Sequence, residues 1–203
     1  MNQPTAADDL KPEFWEQRYQ AGTPRWDLGQ ASPALVDWLD HSLPPTGKAI
    51  VLGCGRGHDA LYLAKAGFEV WGVDYAPSAI AAATAKAQQQ QIAVHFVQRN
   101  IFDLVPAFSH QFDYVIEHTC FCAIDPGLRS HYVELVYQLL KPQGQLIGVF
   151  FTHSRPGGPP YGATVADIRA CFGQRFTLSL IEPVAHSVPA RQGEEHFGIF
   201  VRD

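Results

Sequence analysis

The string Gly53-Cys54-Gly55-Arg56-Gly57 follows directly on the apolar run Ala49-Ile50-Val51-Leu52, and Asp74 closes a second apolar run 17 residues after Gly57. Glycines between a strand and a helix let the backbone turn sharply and approach a ligand closely, and a helix opening at His58-Asp59 offers free N–H groups. A carboxylate at the end of the second strand accepts hydrogen bonds from ribose hydroxyls. The two features together predict a nucleotide-like ligand. Gly55-Arg56-Gly57-His58-Asp59-Ala60 also fits the Gly-x-Gly-x-x-Gly/Ala pattern, so a nicotinamide dinucleotide and an oxidoreductase stand as one alternative.

Other residues with chemical potential lie on either side of this loop. Trp15, Tyr19 and Trp26 place three aromatic rings in twelve residues; they either pack on the domain's own core or form a lid over a pocket. His118 has the side chain of a general base. Cys120 and Cys122 have no identifiable activating partner, which argues against nucleophilic roles. The four cysteines follow Cys-x-Cys rather than Cys-x-x-Cys spacing and the nine histidines are scattered, so no metal site is expected.

The elements that must position these groups alternate. Strand-like runs are expected at 49–52, 68–73, 94–97, 112–116 and 145–151, with helices at 58–66, 77–89 and 132–140, the last ended by Lys141-Pro142-Gln143-Gly144. Alternation of this kind predicts a doubly wound, Rossmann-like α/β sheet with helices on both faces, and five βα units fit between residues 48 and 151. The tail offers two more strands, 176–181 and 197–201, joined by a loop without a helix, so the last of seven strands is expected to run reversed. Ahead of the sheet, Pro12 opens a helix through Tyr19, and Ser32-Pro33 gives an N-cap and first-turn proline for another.

With 203 residues, 46% hydrophobic and 17% charged, the chain reads as one domain, 1–203, with residues 1–30 as an N-terminal aromatic lid segment. Fifteen Lys and Arg against twenty Asp and Glu, without a basic stripe, argue against nucleic acid as a partner. Apolar runs fall far short of the roughly 20 residues that span a bilayer, and residues 1–11 lack a signal-peptide core, so a cytoplasmic location with no membrane partner is expected.

Further strings carry a resemblance. Asn100-Ile101-Phe102-Asp103 after the third strand, Phe112-Asp113-Tyr114-Val115-Ile116 as the fourth, and Leu139-Leu140-Lys141-Pro142-Gln143-Gly144-Gln145-Leu146 before the fifth resemble the successive motifs of class I S-adenosylmethionine-dependent methyltransferases. They weigh against the dinucleotide. Over nearly the whole chain, Phe14-Trp15-Glu16, Trp26-Asp27-Leu28-Gly29, the glycine loop, Cys122-Ala123-Ile124-Asp125-Pro126 and Gly157-Gly158-Pro159-Pro160-Tyr161 look like the thiopurine S-methyltransferase-like superfamily, nearest to its plant-type thiol/halide (thiocyanate) methyltransferases.

The resemblance implies S-adenosylmethionine as methyl donor, S-adenosylhomocysteine as product, and in-line transfer to a small soft nucleophile such as a thiol, hydrosulfide, halide or thiocyanate. Such an acceptor needs no dedicated base. By position it puts Trp15, Tyr19, Trp26, Gly53, Cys54, Gly55, Asp74, Tyr75, Asn100, Ile101 and His118 around the cofactor. Arg129, Phe151, Tyr161 and Arg191 become candidates for the acceptor pocket, Arg129 having a helix-start salt bridge as its alternative. Tyr19 stands where the plant enzymes have Trp, and His118 and Phe151 where they have Tyr; Asn100 replaces an Asp. A non-catalytic S-adenosylmethionine sensor is the second alternative. A monomer or small homo-oligomer is expected.

Overall fold

Short apolar runs of four to seven residues pair in parallel as β1 (Lys48–Leu52), β2 (Glu69–Asp74), β3 (His95–Gln98) and β4 (Phe112–His118), the central β1 and β4 being the most buried and β3 lying at the edge. The computed structural model describes residues 11–22 and 24–203; residues 1–10 and Thr23, part of the expected lid segment 1–30, lie outside the described residues. With β5 (Leu140–Phe151), β6 (Phe176–Pro183) and β7 (Glu195–Arg202) the sheet has seven strands in the order β3-β2-β1-β4-β5-β7-β6. β7 is antiparallel to both its neighbours, so six strands share one direction and the last is reversed, as the helix-free tail predicts.

Side chains alternate between two cores. Ile50, Leu52, Val115, Leu146 and Phe150 face a cluster completed by α5 (Arg129–Leu139) and α6 (Val165–Phe172). Ala49, Val51, Ile116, Ile147 and Val149 face one completed by α2 (Pro33–Ser42) and α3 (His58–Lys65). α4 (Pro77–Gln90) packs on β2 and β3, and α1 (Pro12–Gln20) lies on α4. The strand order reverses between β1 and β4, and the crevice outside their carboxyl ends is where an open α/β sheet binds ligands.

Five local expectations need correction. α6 has no counterpart in the periodicity reading, although its capping box, Thr164 with Asp167, is a sequence signal of a helix start. α5 begins at Arg129, three residues early. Lys141-Pro142-Gln143-Gly144 does not separate helix from strand but belongs to β5, where Gln143 adopts φ 64° and the pairing with β4 slips between Phe112 and Tyr114; a bulge there accommodates Pro142. The link from β3 to β4 carries a single 3-10 turn, Ile101–Asp103, and α6 follows residue 151, so three βα units lie before residue 151 instead of the expected five. Ser32 also makes no side-chain cap; its N–H donates to Asp59 Oδ1 at 2.7 Å.

Candidate active site

The turn after β1 is built around one carboxylate. Asp74 Oδ2 accepts from the Gly55 N–H at 2.8 Å and Oδ1 from the Ala76 N–H at 2.9 Å, so the end of β2 pins both the glycine turn and the start of α4. The Tyr75 N–H is a third backbone donor, which leaves the carboxylate acceptor capacity for one more hydrogen bond. Burial pushes the Asp74 carboxyl up, and the backbone donors only partly offset this. Gly53 and Gly55 both have positive φ, and a Cβ on either meets an obstacle: Cys120 Sγ at 3.1 Å from Gly53, Tyr19 Oη at 2.9 Å from Gly55.

A cavity of about 430 Å³ opens at these strand ends. Trp15, Tyr19, Trp26, Gly53, Asp74, Tyr75, Asn100 and Ile101, all expected at the cofactor, line it together with Phe151 and Arg191, expected at the acceptor. Asn100 orders its own corner by donating from Nδ2 to Tyr75 Oη at 3.2 Å and accepting the Phe102 N–H at 3.0 Å.

The aromatic segment is fastened over this space. Trp26 packs edge-on against Trp15 and Tyr19, with centroids 5.3 and 5.7 Å apart, and donates from Nε1 to Tyr19 Oη at 3.1 Å. Glu16 accepts from the backbone N–H and the hydroxyl of Ser78, replacing the side-chain cap that Ala76 cannot give α4. Asp27 meets Arg56 at 3.0 Å and His58 at 3.1 Å. The His58 imidazole is held below its ordinary value, first by burial and then by the neighbouring Lys86 ammonium.

Five expected site residues do not line the cavity. His118 lies behind it: Nδ1 is 2.8 Å from Asp59 Oδ2 and Nε2 is 3.1 Å from Arg191 Nη1. Cys54 and Gly55 shape the turn from outside the lining. Arg129 stacks over Phe121 and donates to the carbonyls of Gly162 and Tyr161 at 3.0 and 3.2 Å, so it holds the Gly157–Tyr161 loop instead of facing an acceptor or making the alternative helix-start salt bridge. Tyr161 donates its N–H to the Cys122 carbonyl at 2.6 Å, and it is Pro159 and Pro160 that reach the cavity.

Other lining residues were not anticipated. Arg18, Arg25 and Arg99 line the cavity beside the expected Trp15, Trp26 and Asn100, and that adjacency in the chain was the available signal. Thr119, Cys120 and Cys122 line it as well. Their turn is held by Glu117, fully buried, which accepts from the N–H groups of Cys120 and Phe121 and from Tyr132 Oη at 2.5 Å.

A family model described as Thiopurine S-methyltransferase matches residues 10–201. Thiocyanate methyltransferase 1 of Arabidopsis thaliana is 34% identical over 190 residues, covering 91% of this chain and 82% of the relative. Probable thiol methyltransferase 2 of the same plant is 35% identical over 188 residues with the same coverage. A solved structure of the 1,6-didemethyltoxoflavin-N1-methyltransferase of Burkholderia thailandensis, holding S-adenosylhomocysteine, superposes with a TM-score of 0.79 at 20% identity, over 100% of this chain and 93% of that one.

Proposed function

The chain belongs to the thiopurine S-methyltransferase family and is an S-adenosylmethionine-dependent methyltransferase, and on that premise we propose that its acceptor is a small soft nucleophile already anionic when it binds, a hydrosulfide, thiolate, halide or thiocyanate. This membership decides against the nicotinamide reading. The residues present fit the donor: Asp74 ends β2 with acceptor capacity for a further hydrogen bond, Gly53 and Gly55 leave room that a side chain would fill, and three aromatic rings close one wall.

The observation that carries the acceptor class is the lining itself. Among the described lining residues no group is a free base: Asp74 is engaged by backbone donors, and Cys120 and Cys122 are held as thiols; behind the lining, the His118 ring is screened by Arg191. The guanidinium groups of Arg18, Arg25 and Arg99 line the cavity, with Arg191 paired to Glu195 at 3.2 Å, and Asp74 is the carboxylate of the lining. Such a wall favours an acceptor that brings its own negative charge and needs no proton removed.

Bound S-adenosylmethionine supplies a methyl group on a cationic sulfonium. Asp74, Tyr75, Asn100 and Ile101 would hold the nucleoside portion, and Trp15, Tyr19 and Trp26 would exclude water and present π faces to the cation. Phe151, Pro159 and Pro160 give the acceptor side apolar walls, where a soft anion sheds its water and charge dispersal in the transition state is not opposed.

No helix among the described residues is long and apolar enough to cross a membrane. All four cysteines are free, which supports a reducing, cytoplasmic location. Leu43 is the large hydrophobic exposed among the described residues, which supports a monomer.

The test is headspace gas chromatography of the protein with S-adenosylmethionine and hydrosulfide, small thiols, thiocyanate, iodide or tellurite, with Asp74→Ala as control. Volatile methylated product from the anionic acceptors, lost in the control, is expected. Cofactor binding without product from any of them would turn the reading toward a bulkier thiol or a sensor.

A further inference from the structure

Behind the cavity wall a chain of buried polar contacts joins segments far apart in sequence. The Ser32 N–H donates to Asp59 Oδ1, Asp59 Oδ2 meets His118 Nδ1, His118 Nε2 meets Arg191 Nη1, and Arg191 Nη2 donates to the Trp26 carbonyl at 2.7 Å. Arg191 Nη1 also donates to Glu195 Oε1 at 3.2 Å. The last link matters most, because Trp26 is the ring that caps the cavity from the aromatic segment and Arg191 lines the acceptor side. One guanidinium therefore ties the wall on the acceptor side to the cover on the cofactor side.

The proton positions in this chain follow from what each group is able to do. Arginine has donors only, so His118 Nε2 must accept, and the ring proton must sit on Nδ1 and point at the Asp59 carboxylate. Burial pushes Asp59 up, but His118 and the Ser32 N–H more than offset it and hold the carboxyl below its ordinary value. Asp59 thus fixes the tautomer of His118, and the tautomer gives Arg191 an acceptor. A doubly protonated ring has no lone pair for Arg191 and faces it with a like charge. The charged or titratable groups around the ring are Asp59, Arg191 and Glu195, with Glu117 next in the chain and His58 near Asp59.

We propose that Asp59 and His118 are positioning residues for the reaction: the His118 ring, oriented by Asp59, holds Arg191 where it fastens Trp26 over the cofactor. The proposal deepens the methyl-transfer reading and rests on it for the identity of the cofactor. Neither residue touches the reacting atoms. The expected signature is a loss of cofactor affinity when an acceptor outside the cavity is removed.

The experiment compares wild type, His118→Gln and His118→Phe at one near-neutral pH. Calorimetry gives the Kd for S-adenosylhomocysteine, and kcat/KM is measured with iodide. His118→Phe, which leaves Arg191 without its acceptor, is expected to lose about tenfold in affinity, the worth of a charge-assisted hydrogen bond. The glutamine amide oxygen accepts from Arg191, so His118→Gln recovers most of the affinity that His118→Phe loses. His118→Gln binding no better than His118→Phe, or His118→Phe binding as wild type does, would overturn the proposal. Absence of methyl iodide from wild type would instead count against the acceptor reading, and the binding arm would still decide the role of His118.

Discussion

Cys120 and Cys122 put two soft nucleophiles on the wall of a cavity that must hold an alkylating sulfonium. The environment disarms them. Burial and then the Glu117 carboxylate push the Cys122 thiol up to about 12, and the same two causes, in the same order, raise Cys120 well above the ordinary thiol range. Both remain protonated at neutral pH and compete poorly for the methyl group. Peptide mapping after iodoacetamide treatment of the native protein at about pH 8 is expected to find both unmodified, and intact mass after incubation with S-adenosylmethionine to show no methyl adduct on either. Rapid labelling of Cys120 or Cys122 in the folded protein would contradict this. The types of these residues were legible in the sequence; their placement on the cavity was not, because it depends on how Glu117 folds the turn after β4.

Two element boundaries are set by single side chains. Glu16 anchors α1 to the start of α4, and its carboxyl lies below its ordinary value: burial raises it, while hydrogen bonds from Ser78 and Gln20 lower it by more. A carboxyl depressed in the folded state makes its contribution above the ordinary glutamate value of about 4.3 and loses it as pH falls through the depressed value. Hydrogen exchange of the α1 amides should therefore be faster in Glu16→Gln than in wild type at about pH 7, and the difference should shrink as pH falls below the ordinary glutamate value. A difference that persists in acid would assign the anchoring elsewhere. At the other end, the capping box of Thr164 and Asp167 opens α6, whose Ile168 and Phe172 are fully buried. Thr164→Ala should cost about 1 kcal/mol and lower Tm by about 2–4 °C for a chain of this size. An unchanged Tm would mean the helix end is held by packing alone.

At the scale of the molecule the net charge and the local charge have opposite signs. The chain carries a formal −5, yet its cavity is lined by Arg18, Arg25 and Arg99 and by Arg191, which is paired with Glu195, with Asp74 as the carboxylate among them. A cleft with one sign of charge and low-dielectric walls concentrates counter-ions, and salt screens that field over a Debye length of about 10 Å at 0.1 M. kcat/KM for iodide or thiocyanate should fall about threefold or more between about 10 mM and 0.5 M of a non-nucleophilic salt. For a neutral thiol it should stay nearly constant. Equal salt dependence for both would show that the arginines do not steer the acceptor.

The sequence by itself determined what depends on neighbours along the chain: strand and helix alternation, the reversed last strand, the glycine turn with Asp74, and the aromatic residues of the first thirty. These follow from periodicity, turn chemistry and short connections, which act over a few residues. Tertiary structure alone decided the pairings over long separations. Arg191 reaches His118 across 73 positions and Trp26 across 165, while Arg129, placed at the acceptor by position, is spent on carbonyls 32 and 33 residues away. A guanidinium takes whichever acceptors the packed chain brings to it, and no spacing rule encodes which carbonyl or imidazole that will be.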